Sequence, residues 1–106
     1  MLAMDDPMER MRRRAALRAE LSVAATELAA LRTAKAQLAA ALAALHATAP
    51  HDRAYALTAG GAMRDMPRAD ALAATAARLR DVETRLDRQV AVSDGHQAEL
   101  SALALQ

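Results

Sequence analysis

The sequence contains no cysteine, no tryptophan and no phenylalanine among its 106 residues, and Tyr55 is its one aromatic side chain. Without cysteine, neither a disulfide framework nor a thiolate metal site can form. Net charge is only +1, with acidic and basic residues mixed along the chain. A dedicated nucleic-acid binder carries a strong basic excess on one face, so no nucleic-acid partner is expected. No uninterrupted run of about 18 apolar residues occurs, and no membrane partner is expected. The opening Met-Leu-Ala-Met-Asp-Asp-Pro lacks the basic head and apolar stretch of a secretory signal. These absences point to a soluble, cytoplasmic protein.

Apolar residues nevertheless make up 54% of the chain, and 31 residues are alanine. Alanine buries little area per side chain but has the highest helix propensity. A thin seam between long helices suits this composition better than a thick core.

Glycine and proline are equally scarce, and their positions divide the chain. Asp6-Pro7-Met8-Glu9 reads as a helix start, with Asp6 as cap, Pro7 at the first helical position and Glu9 reaching back as in a capping box. No glycine or proline follows until Pro50, which predicts a first helix over 7–48, about 60 Å long at 1.5 Å per residue. Leu17, Leu21, Ala24, Leu28, Leu31, Lys35, Leu38, Leu42 and Leu45 alternate spacings of four and three. That is a heptad seam of the coiled-coil type. Lys35, its polar member, either sets register or simply carries its charged head out to water.

Met4, Met8 and Met11 repeat at the same spacing but one position out of phase with the leucines. They read either as core or as an adaptable apolar surface, a use for which flexible, polarisable methionine is suited. Arg10, Arg12, Arg13, Arg14 and Arg18 read as a solvated flank, because Glu9 and Glu20 interrupt them. A second helix is predicted over 67–104, with Asp65 as candidate cap and Asp70 in its first turn. Its seam runs through Leu72, Thr75, Leu79, Val82, Leu86, Val90, Ser93, His96, Leu100 and Leu103. Gly95 marks a soft point where the helix either ends or continues, since interior glycine costs about 1 kcal/mol relative to alanine.

Between the helices lies an insert, 52–66, bracketed by Pro50 and Pro67 and holding Tyr55 and the Gly60-Gly61 pair. Two short strands are expected, at 55–59 and 62–65, ordered mainly on assembly because a lone hairpin is marginal. Two helices joined by a short insert pack as an antiparallel hairpin. Both termini would then lie at one end and the insert at the other. No catalytic constellation stands out, and neither enzymatic activity nor a cofactor is expected. His46 and His51 could share a metal only with Asp52, and no metal is expected there. Gly60-Gly61 lacks the Lys-Ser/Thr of a phosphate loop.

Arg53, Tyr55, Leu57, Gly60, Gly61 and Met63 stand in the order of the Arg-x-x-Tyr-x-Met/Leu-Val-Gly-Gly-x-Leu-Val segment found in β-class prefoldin subunits. Asp65, Asp70 and Leu72 also fall at acidic, acidic and leucine positions of a subunit-2-like pattern, slightly favoured over subunit 1. The chain thus resembles that family over nearly its whole length. The resemblance implies a mainly α fold: a long antiparallel coiled-coil hairpin with a short β-hairpin insert, forming one domain over 1–106. It also implies a co-chaperone that works without ATP. Four β-class and two α-class subunits would assemble into a heterohexamer through their hairpins. The helix tips would hold unfolded clients such as actin or tubulin for a cytosolic chaperonin. On this reading Tyr55, Leu57, Gly60, Gly61 and Met63 serve assembly, and Met4, Met8, Met11, Leu100 and Leu103 contact clients.

The alternative is a homo-oligomeric structural coiled-coil adaptor without a chaperone role, which the heptads suit equally. It leaves unexplained why so long a connection holds Tyr55 and Leu57, since helix–helix connections usually run two to eight residues.

Overall fold

The computed structural model describes residues 6–49, 53–57 and 63–105. The chain is mainly helical, with two long helices and a small antiparallel sheet between them. In order these are α1 (Pro7–Ala47), β1 (Arg53–Leu57), β2 (Met63–Pro67) and α2 (Arg68–Ala104).

Helix α1 starts as its sequence predicts. The Asp6 carboxylate accepts from the Met8 amide at 3.0 Å, and the Asp6 carbonyl from the Arg10 amide at 3.1 Å. Glu9 turns instead to Arg12, at 3.2 Å. The helix ends where Thr48 folds back on Leu45, its amide at 3.3 Å and its hydroxyl at 2.7 Å from the carbonyl oxygen. Helix α2 runs through Gly95 without a break.

The strands lie nearer the helices than the sequence suggests. Their register pairs Arg53 with Pro67, Tyr55 with Asp65 and Leu57 with Met63. Pro67 can close β2 because a terminal strand position needs no ladder donor. Asp65 does not cap α2; it lies in β2 with its carboxylate 3.0 Å from Arg53.

The chain divides into two compact units, and each helix contributes to both. One comprises Met1–Ala30 and Leu86–Gln106. Its buried side chains are Leu17, Ala24, Leu28 and Leu103. Within it α1 and α2 run antiparallel, since Arg13 meets Glu99 and Glu20 meets His96. Burying a leucine fully stabilises by about 1.5–3 kcal/mol, and only Leu17 and Leu103 rank as large, fully buried side chains among the described residues. Arg10 and Arg14, half-buried, continue the seam toward the N-terminus, while Met8 and Met11 point away from it.

The other unit, Leu31–Arg85, holds the hairpin. Leu45, Ala54, Ala56 and Ala71 form a buried cluster with Met66 and Leu72 packed against it. Strand alternation sends Ala54 and Ala56 inward and Arg53 and Tyr55 outward. The small inward side chains let the sheet lie close on the helices. Thr75 and Val82 are buried on α2. On α1, Leu31, Leu38 and Leu42 are half-buried, and Ala34 rather than Lys35 joins them in the seam. Lys35 is exposed, with Nζ 3.7 Å from Glu83. An ammonium on a flexible stem keeps its hydration there, whereas the methyl of Ala34 loses nothing by turning in.

Candidate interaction surfaces

The first candidate surface is the hairpin. Its outward face presents Tyr55, which is 65% exposed, flanked by the Arg53–Asp65 ion pair. Both Asp65 oxygens lie 3.0 Å from Arg53 Nε. The sheet has two strands, so each keeps one outer edge with no described strand beside it. Such edges are templates for pairing with further strands. Leu57 and Met63 form the last described backbone pair of the ladder. Gly60 and Gly61 lie outside the described residues, as do His51 and Asp52.

Arg68 seats this hairpin. Its Nε donates to the Leu45 carbonyl at 2.9 Å and to the Thr48 hydroxyl at 3.1 Å, and its Nη2 to the His46 carbonyl at 3.2 Å. The last carbonyls of a helix have no partner within it and carry partial negative charge. The guanidinium meets both needs. Beside the hairpin lies a cleft of about 280 Å³ lined by Ala34, Gln37, Leu38, Ala41, Tyr55, Ala56, Thr75 and Arg78.

The second candidate surface is in the unit holding the chain termini. Met8 and Met11 are 55% and 63% exposed, whereas Met4 lies outside the described residues. Leu100 is half-buried, and Leu103, at 2% exposure, is part of the seam. Leu103 therefore presents no surface in this arrangement. Leu105, absent from the expected set, is exposed.

Arginines hold this region together. Arg13 makes a two-pronged contact with Glu99, Nε to Oε1 at 2.8 Å and Nη2 to Oε2 at 2.7 Å. These hydrogen bonds raise the guanidinium pKa above the ordinary arginine value, with smaller help from the charges of Glu99 and Glu20. Arg14 Nη2 donates to the Leu103 carbonyl at 3.0 Å. A shallow groove nearby is lined by Ala19, Glu20, Val23, Ala24, Gln89, Val92 and His96, and Val23 and Val92 are exposed. His96 Nδ1 lies 3.4 Å from Glu20.

None of these arginine contacts figured in the sequence reading. A signal existed for Arg14 and Arg10, which stand three and seven residues before Leu17 and so in phase with the seam. Among the described residues no three His, Cys, Asp or Glu side chains gather closely enough to hold a metal ion.

Helix α1 also contains an 18-residue window of mean hydropathy 1.3, long and apolar enough to cross a membrane by those measures alone. Alanine supplies much of that hydropathy, and the average passes where an uninterrupted run does not exist. In comparisons with known proteins, no family model, no curated protein and no solved structure matches this chain.

Proposed function

We propose that the chain is an assembly subunit of a prefoldin-type, ATP-independent co-chaperone, joining related α- and β-class subunits in a cytoplasmic heterohexamer. One observation carries the reading: a two-stranded sheet whose outer edges have no described strand beside them, with Tyr55 outward, lies between two long helices. An isolated two-stranded hairpin is marginally stable in water. Further strands from neighbouring subunits would satisfy those outer edges. The terminal unit would offer the exposed Met8 and Met11 to unfolded clients. Affinity-tagged chain from its own cells, analysed by mass spectrometry, tests the reading. Recovery of prefoldin-like subunits with smaller amounts of chaperonin is expected; recovery of the chain alone removes it.

The exposed Val23 and Val92 favour a second reading. They give the terminal unit an apolar flank that another copy of the chain could cover, as in a homo-oligomeric coiled-coil adaptor. Native mass spectrometry of purified chain separates the two. The adaptor forms a defined oligomer alone, and the co-chaperone subunit requires partners.

A further inference from the structure

Two adjacent arginines of α1 hold the end of α2. Arg13 grips Glu99 through two hydrogen bonds, and Arg14 donates to the carbonyl of Leu103. That carbonyl lies in the final turn, where helix carbonyls lack partners within the helix. The last turn of α2 contains no basic residue of its own, so this charged cap comes from α1. Leu17 and Leu103, the large, fully buried side chains, lie at the level of these contacts. One feature opposes closure: Arg14 Nε is buried and has no hydrogen-bond partner among the described residues. An unpaired buried donor penalises the state that contains it.

The geometry points to an electrostatic latch. The last two turns of α2 open from α1 and close again while the hairpin unit stays folded, and Arg13 and Arg14 set the balance. The closed form hides Leu17 and Leu103; the open form frees them on the same helix ends as the exposed Met8 and Met11. Use of the open form to take up an apolar segment of a client rests on the co-chaperone reading, but the latch itself does not.

The absence of cysteine permits a direct test, since one introduced thiol reports on one position. Full-length Leu103→Cys, Leu105→Cys and Val82→Cys proteins would be treated with a thiol reagent under native conditions. Cys at 103 should react about tenfold or more slowly than Cys at 105, as expected for a site that must open first. Glu99→Gln should speed the reaction at 103 about threefold, the scale of a partly exposed ion pair. Arg14→Ala should speed it about tenfold, the scale of a hydrogen bond from a charged donor. Raising salt from about 0.02 to 0.5 M should act in the same direction by screening. Reaction at 82 should not change.

Equal rates at 103 and 105, or rates at 103 indifferent to both substitutions, overturn the latch. Parallel acceleration at 82 overturns it too, because it means opening of the whole chain. Because Leu103→Cys itself thins the core, amide exchange of the unsubstituted chain supplies a second reading. Salt should speed exchange over 96–104 and not over 72–82. Client capture enters none of these readouts, so failure of the latch is distinct from failure of the co-chaperone reading.

Discussion

Arg68, the first residue of α2, places its Nε 2.9 Å from the carbonyl oxygen of Leu45 in the last turn of α1. The contact spans 23 residues of sequence and joins the two helix ends that border the hairpin. With His46 and Thr48 also bonded, one guanidinium satisfies the end of one helix from the start of the other.

Arg68→Ala should therefore destabilise the chain by about 1–2 kcal/mol, since hydrogen bonds to charged groups exceed neutral ones and the site is half-buried. Arg68→Lys should recover only part of this, because an ammonium lacks the planar fork that reaches two carbonyls. Urea unfolding of the three proteins gives the values. An alanine variant as stable as the parent would show that the clamp contributes nothing.

The fold was legible in the sequence where spacing carried it. Leucines three and four apart announced α1 and most of α2, because only one face of each helix is buried. The strands were legible as elements but misplaced, since Ala54 and Ala56 have low strand propensity and act through burial against Leu45 and Ala71. Leu103 stood both in the seam and in the client set, two roles that burial makes incompatible in the closed form. Arg68 gave no pattern at all, because a long-range cap on another helix depends on the tertiary fold and has no local period.

Assembly is expected to depend on the outer end of the hairpin. Leu57 and Met63 pair across the ladder at its last described step. Replacing both with Asp should abolish incorporation into a hexamer, since opposed like charges destabilise a strand pair. Far-ultraviolet helicity should survive, because Leu57 and Met63 belong to the strands and not to α1 or α2. Size-exclusion chromatography with partner subunits reads the first effect and circular dichroism the second. Unchanged assembly would remove the hairpin from the proposed interface.

Client capture is expected to depend on the methionines. Changing Met4, Met8 and Met11 to Ser removes apolar surface from residues of which the two described, Met8 and Met11, are largely exposed. Each substitution should change stability by no more than about 0.5 kcal/mol. Suppression of aggregation of a denatured client should weaken while hexamer assembly persists. Undiminished suppression would transfer client contact to another surface.

Gly95 separates helix propensity from packing. It lies inside α2, where a Cβ added at its position meets no atom within 4 Å. Alanine there fits without a clash and removes backbone freedom from the unfolded chain. Gly95→Ala should raise stability by about 1 kcal/mol. For a chain of this size that corresponds to roughly 4–8 °C in Tm. Because the residue lies in the unit that contains the Arg13–Glu99 contact, the gain should also slow amide exchange around it more than in the hairpin unit. Thermal unfolding and amide exchange together check both parts. A lower Tm would mean that α2 needs its glycine, and a continuous helix through Gly95 would no longer describe the chain.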